Sequence, residues 1–250
     1  MALYLITGAS RGLGLELARQ LGSLPASEVS KVFATARGDA PILEELAKKS
    51  SGRVIVVRLD VTNEASIKQA AVEVEANLDG KGLDILINNA GILQYALGVS
   101  TMDNLTESFT TNVLGVHWVT RAFIPLLRKG SLKKVVNISS TIGSIATSRF
   151  VHLLPAPAYK ITKAALNSLT VQYALDYEKE GFTIFALSPG WLRTDLGGET
   201  ADLSVEQGGK ASLEKIFNTG KEQNGQFIKI EIKGWPNDGR NQYDGSPAPW

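Results

Sequence analysis

Apolar and β-branched positions gather in short runs along the chain: "ALYLIT" (2–7), "KVFATA" (31–36), "RVIVVRLD" (53–60), "LDILINN" (83–89), "KKVVNIS" (133–139) and "FTIFALS" (182–188). Several are apolar nearly throughout, as expected of strands buried on both faces of a parallel sheet. Segments with helical spacing lie between them, such as "GLELARQLGSL" after the first run and "SIKQAAVEVEANL" after the third. Residues 106–129 form a longer one before the fifth run, and 163–180 another before the sixth. Strand alternating with helix predicts right-handed crossovers and an α/β fold. The expected form is a doubly wound parallel sheet of about seven strands with helices on both faces. No Pro/Ser-rich linker or internal repeat divides the chain, so 1–250 reads as one domain. After "SPGW" comes a glycine- and charge-rich loop (192–203), then a helix, "SVEQGGKASLEKIF", and a last strand, "GQFIKIEI". The ending "KGWPNDGRNQYDGSPAPW" is turn-forming and irregular.

Composition removes several function classes. The 26 basic and 25 acidic residues leave a formal net charge of +1, which gives no electrostatic case for nucleic acid or an anionic membrane surface. There is no cysteine, so disulfides, thiolate catalysis and Cys-based metal sites are out. His117 and His152 are the only histidines, neither has a neighbour at metal-ligand spacing, and no metal is expected. No apolar stretch reaches the about 18 residues of a membrane span. "MALYLITGAS" reads as a first strand entering a glycine turn, not as a signal peptide, and the default expectation is a cytoplasmic protein.

Two stretches carry chemistry. The first run leads into T7-G8-A9-S10-R11-G12-L13-G14, where a helix begins. Glycines there let the backbone approach a pyrophosphate, and a helix N-terminus offers free N–H groups and a favourable dipole. In "APAYKITKAALNSLT" (156–170), Tyr159 and Lys163 lie four positions apart at a helix start, so phenol and ammonium share one face. Most such pairs are solvated surface. The alternative is acid–base chemistry, because a phenol of pKa about 10 needs a neighbouring cation to work near neutral pH.

T7-G-x-x-x-G12-x-G14, N88-N89-A90-G91, Asn112, a serine after the fifth strand, Y159-x-x-x-K163 and P189-G190 occur in the order of the short-chain dehydrogenase/reductase family, which the chain resembles from residue 3 to about 195. The stretches "PGWLRTDLGG", "LSVEQ" and "YDGSPAPW" resemble its sniffer-like and C-factor-like carbonyl reductase branch, although "IEIKGWPNDGRNQ" intrudes before the ending. The resemblance implies a single-domain Rossmann fold and hydride transfer between a nicotinamide cofactor and a carbonyl carbon. It implies Tyr159 as general acid/base, Lys163 lowering the Tyr159 pKa and holding the nicotinamide ribose, and Ser140 on the substrate oxygen, with Ser139 its rival. Asn112 becomes a backbone-linked anchor of a proton relay to Lys163.

The cofactor-binding residues it implies are Gly8, Ser10, Arg11, Gly12, Leu13 and Gly14 in the turn, and Arg37 after the second strand. Asp60 and Val61 fall against the adenine, with a helix cap as the other reading of Asp60. Asn89, Ala90 and Gly91 lie along the adenosine ribose, Tyr159 and Lys163 at the nicotinamide, and Pro189, Gly190, Leu192 and Thr194 beside it. Enzymes using NAD place a carboxylate at the end of the second strand; here Ala36 and Arg37 stand there. Arg37 and Arg11 converging on a 2′-phosphate make NADP(H) the expected cofactor. Ser140 and Tyr159 are nineteen positions apart, wider than the short form of the family, so 147–158 reads as an enlarged loop. Leu93, Tyr95, Leu153 and Trp191 are the expected substrate wall, suited to a bulky hydrophobic ketone, or else the loop packs on its own core or a partner subunit. The expected partner is thus a small carbonyl compound, with assembly as a homodimer or homotetramer left open. A dinucleotide-binding sensor without turnover, and an epimerase-like protein acting on sugar nucleotides, are the rival readings.

Overall fold

The computed structural model describes residues 1–236 and 241–250; part of the expected irregular ending, 237–240, lies outside the described residues. Seven strands form one wholly parallel sheet: β1 (Ala2–Ile6), β2 (Val29–Ala36), β3 (Val54–Arg58), β4 (Ile85–Asn88), β5 (Lys134–Ile138), β6 (Thr183–Ser188) and β7 (Phe227–Lys229). Their spatial order is β3-β2-β1-β4-β5-β6-β7, so the order reverses between β1 and β4. In open α/β sheets that reversal opens a crevice at the carboxyl ends of the strands.

The helices are α1 (Gly12–Ser23), α2 (Pro41–Lys49), α3 (Glu64–Asn77), α4 (Leu105–Phe109), α5 (Gly115–Arg128), α6 (Pro157–Tyr177) and α7 (Val205–Asn218). Successive strand residues point to opposite faces, and the core divides accordingly. Tyr4 and Ile6 of β1 join Leu17, Leu21, Leu43 and Ile216 on one face, beneath α1, α2 and α7. Leu3 and Leu5 join Ile67, Val74, Phe123 and Ile184 on the other, beneath α3 and α5. In α3 the buried residues are Ile67, Ala70 and Val74, an apolar stripe of helical period, and Asn63 caps its first turn through the Ala65 and Ser66 N–H groups.

The long helix expected over 106–129 is not continuous. Between α4 and α5 the backbone makes a π-helical turn, Thr110–Leu114, which holds Asn112. Such a turn inserts one extra residue and re-aims the side chains within it. No helix among the described residues is long and apolar enough to cross a membrane.

Candidate active site

Where β1 gives way to α1, Gly8 takes φ +67° and Gly12 φ +55°, a left-handed backbone that costs other residues about 1–2 kcal/mol. Space is the second constraint. A Cβ on Gly8 would sit 2.8 Å from Ala90 Cα, and one on Gly14 only 2.4 Å from the Gly8 carbonyl oxygen. The turn is stitched to the segment after β4: Thr7 Oγ1 accepts the N–H groups of Asn89 and Ala90, both at 3.0 Å, and Asn89 Nδ2 donates to the carbonyls of Thr7 and Gly8 at 2.9 and 3.0 Å. No side chain caps α1, so its first N–H groups remain available to an anion. Ser10 is half-buried and Leu13 buried in the same turn.

The two arginines part company. Arg11 forms an ion pair with Asp195 at 3.0 Å, reaching across to the segment after β6. In the protein by itself Arg11 is thus engaged by the Asp195 carboxylate. Arg37 is exposed and without a hydrogen-bonded partner among the described residues. Asp60 is no helix cap, that place being taken by Asn63; it accepts the Thr62 N–H at 2.9 Å and hydroxyl at 2.7 Å. The Thr62 hydroxyl, then its N–H, and the nearby Arg37 charge hold the Asp60 carboxyl below the usual range against the opposing effect of burial. Val61 backs onto Gly115, where a Cβ would come 2.9 Å from the Val61 carbonyl oxygen.

At the carboxyl ends of β4 and β5 the candidate catalytic residues come together. Tyr159 and Lys163, in the opening turns of α6, are 7% and 4% exposed, so they are not a solvated surface pair. Lys163 Nζ donates to the Ile138 carbonyl at 2.7 Å and stands 5.4 Å from the Tyr159 ring centre. Ser140 stands beside the Tyr159 phenol, where its hydrogen bonding favours the phenolate. Ser139 is buried and donates to Asn167 Oδ1 at 2.6 Å. Asn112, wholly buried, donates to the Ile92 carbonyl at 2.9 Å and to Thr162 Oγ1 at 3.1 Å, and accepts the Ile92 N–H at 2.9 Å. A Cβ on Gly91 would lie 3.2 Å from Asn112 Oδ1 and 3.8 Å from Lys163 Nζ, so that glycine leaves the space between them.

Burial governs the electrostatics here. It pushes the Tyr159 phenol up, against the smaller opposing effect of Ser140, and lowers the Lys163 ammonium to about 8. In the protein by itself the Lys163 hydrogen bond goes to the Ile138 carbonyl, and burial is the larger influence on the phenol.

Beyond β6, Gly190 takes φ +85° and Leu192 is buried, bridging to Leu203. The Thr194 methyl group would lie 3.5 Å from a Cβ on Gly12, so the segment from Pro189 to Thr194 passes over the glycine turn. Trp191 donates its indole N–H to the Gly197 carbonyl at 2.7 Å. Leu93 is half-buried, but Tyr95 and Leu153 are 63% and 76% exposed, so the four expected wall residues do not enclose a pocket. The reason is local: a short 3-10 turn, Ser148–Val151, and the residues after it leave Phe150 and Leu153 facing outward. Cavities of about 320 and 380 Å³ lie elsewhere, between α3 and α5 and under the amino ends of the strands. Thr162 and Asn167, which hold Asn112 and Ser139, were not singled out in the sequence. Their signal was there, as a polar stripe of helical period through Tyr159, Thr162, Lys163, Asn167 and Thr170 on a buried face.

The family model for short chain dehydrogenases matches residues 2–203. The chain belongs to the short-chain dehydrogenase family. It is 36% identical over 208 residues to the short-chain dehydrogenase/reductase atnB of Arthrinium sp, covering 78% of this chain and 76% of that one. Among solved structures, an NADPH-bound carbonyl reductase from chicken fatty liver is 34% identical, with TM-score 0.84, over 94% of this chain and all of that one. The carbonyl reductase Sniffer of D. melanogaster is 30% identical, with TM-score 0.88, and each chain is covered completely. Both solved relatives are carbonyl reductases, the branch of the family that the resemblance pointed to.

Proposed function

We propose that this chain is an NADPH-dependent carbonyl reductase that turns a bulky hydrophobic ketone or aldehyde into an alcohol, with Asn112, Ser140, Tyr159 and Lys163 as its working residues. The observation that carries the reading is the buried cluster in which Lys163 and Ser140 flank the Tyr159 phenol.

The protein has room of the right kind for a dinucleotide. Added side-chain atoms on Gly8 and Gly14 would collide with backbone, so the turn keeps bare peptide surface beside an uncapped helix start. Gly8 to Gly14 would hold the pyrophosphate, Asp60, Val61 and Asn89 to Gly91 the adenosine, and Pro189, Gly190, Leu192 and Thr194 the nicotinamide end. The exposed Arg37 just after β2, where Ala36 stands in the place of a carboxylate, suits a 2′-phosphate. The chicken relative, described as NADPH-bound, agrees with that choice. NADPH, when bound, supplies the hydride.

The residues then have the proton and the charge to manage. Ser140 gives the carbonyl oxygen a hydroxyl hydrogen bond that strengthens as negative charge develops. Tyr159, whose burial keeps it a phenol, donates its proton to that oxygen. Lys163, charged below about pH 8, stabilises the phenolate left behind. Asn112 fixes the Ile92 backbone and, through Thr162, the first turn of α6. The apolar side chains of Phe150, Leu153, Tyr95 and Trp191 favour a substrate that covers them, at roughly 25 cal/mol per Å² of apolar area.

The test is NADPH oxidation followed by absorbance against aromatic and polycyclic ketones, quinones, sugars and short keto acids. The proposal expects turnover with the bulky apolar members ahead of the others. NADPH binding with no oxidation against any of them would leave the sensor reading standing instead.

A further inference from the structure

After β7 the chain from Asn241 to Trp250 returns to the sheet and touches both of the segments that flank Tyr159 on the substrate side. On one side the Tyr243 hydroxyl accepts the Trp191 N–H at 3.1 Å and donates to Asp202 Oδ2 at 2.7 Å. Asn241 Nδ2 donates to the same Asp202 oxygen at 2.6 Å, and the Trp235 ring packs edge-on to Tyr243 at 4.8 Å. Trp191 and Asp202 stand near the two ends of the loop between β6 and α7, so these bonds tie its base together. Burial, with the Asp202 carboxylate adding to it, pushes the Tyr243 phenol up, which keeps it a donor.

On the other side the Trp250 carbonyl accepts the Ala146 N–H at 2.9 Å and the Ser144 hydroxyl at 3.2 Å. Its ring stacks on Phe227 of β7, centre to centre 5.7 Å. Between these two grips the segment is sewn to the sheet edge: Ala248 N–H donates to the Phe227 carbonyl at 2.7 Å, and Pro247 pairs with Ile228. Most other backbone hydrogen bonds of 144–154 are local, such as Phe150 N–H to the Thr147 carbonyl and Leu154 N–H to the Val151 carbonyl. Among the described residues the segment makes no hydrogen bond to the glycine turn.

We propose that residues 241–250 form a clamp, anchored on β7, that sets the separation of the loops 144–154 and 191–203, with Tyr243 and Trp250 as positioning residues for substrate selectivity. What the loops select rests on the carbonyl reductase reading; the clamp itself does not. The Trp250 grip holds only 144–146, whereas the loop held by Tyr243 also meets the glycine turn through Thr194 and Asp195, so the Trp250 grip is the one that separates substrate choice from cofactor binding.

The protein and its Trp250→Ala, Trp250→Phe and Tyr243→Phe variants are compared by hydrogen exchange, NADPH titration and steady-state kinetics. In Trp250→Ala the amides of 144–148, Ala146 above all, are expected to exchange about 10-fold faster or more, with peptides covering 7–16 unchanged, and in Tyr243→Phe those of 191–203. Trp250→Phe keeps the stacking on Phe227 and should restore the wild-type pattern. In Trp250→Ala the ratio of kcat/KM for a polycyclic ketone to that for a small aliphatic ketone should shift by about fivefold or more, while the NADPH Kd stays within about twofold. Unchanged exchange in both loops overturns the clamp, as does a rise in Trp250→Ala that includes 7–16, because the segment would then act on the whole fold. Altered exchange with an unaltered ratio overturns the selectivity role. If the wild type reduces no ketone, exchange still decides the clamp, and only the carbonyl reductase reading falls.

Discussion

The cofactor side and the substrate side of Tyr159 are held in shape by different means. From Thr7 to Gly14 the backbone is fixed by left-handed glycines, by contacts too close for any side chain, and by four hydrogen bonds linking Thr7 and Gly8 to Asn89 and Ala90. Across the phenol, 144–154 and 191–203 carry exposed apolar side chains on short turns and lean on the tail for support. A pyrophosphate is the same in every dinucleotide, so its site tolerates no variation in geometry. A substrate wall is free to vary, and the wall proposed for this chain is built on short turns.

If that contrast holds, damage to the cofactor side should be severe and confined to NADPH. Gly14→Ala forces a methyl group within 2.4 Å of the Gly8 carbonyl oxygen. Overpacking of that degree costs about 3 kcal/mol, so NADPH affinity measured by titration should fall about 10²-fold. An unchanged Kd would mean that the close approach is not a constraint. Next in size is the cofactor switch. Replacing Ala36 with Asp and Arg37 with Ser supplies a carboxylate for a ribose hydroxyl and removes a charge-assisted bond to a phosphate, worth about 2 kcal/mol. The NADPH-to-NADH ratio of kcat/KM should drop about 30-fold. A wild type that already uses NADH as well as NADPH breaks this part of the account.

The two neighbouring serines sharpen the comparison at the seam. Ser140→Ala removes the hydroxyl beside Tyr159 and should lower kcat about 10-fold, less than the loss of a dedicated oxyanion donor costs, with Tm almost unchanged. Ser139→Ala leaves Asn167 Oδ1 unpaired in the core and should instead cost about 1–3 kcal/mol of stability in denaturant unfolding, with kcat largely kept. The reverse pattern would exchange their roles. The mildest effect is with pH. Lys163 is an ammonium below about 8 and an amine above it, and ketone reduction needs the ammonium, so kcat should fall as pH rises through about 8. Lys163→Arg stays charged, and its remaining activity should lack that limb; a limb that persists belongs to another group.

The same contrast explains what could be read in the sequence. Strands β1, β2 and β4 to β6 showed because they are largely buried on both faces, β3 because it is a β-branched run, and the glycine turn because its backbone admits little else. Tyr159 and Lys163 showed because their spacing is fixed by one helix. Helix α2 was not singled out: Leu43 is its one fully buried residue, so its apolar stripe is thin, although Pro41 stands at its start. The π-turn at Asn112 left no mark in the pattern because one extra residue in a long helix barely alters its periodicity. The Arg11–Asp195 pair and the grips of Tyr243 and Trp250 join residues far apart in the chain. Periodicity carries no record of such contacts, and exposure of the wall residues is decided by loop conformation that composition does not fix.

The central claim is that Tyr159 is the proton donor at the seam between the two sides, needed for reduction and not for holding the cofactor. Tyr159→Phe keeps the buried ring and removes only the hydroxyl. Single-turnover NADPH oxidation with an aromatic ketone, beside an NADPH titration of the same variant, tests this most directly. The account predicts an NADPH Kd like that of the wild type and a hydride-transfer rate lower by about 10²-fold or more. A Phe variant that oxidises NADPH at close to the wild-type rate would contradict it.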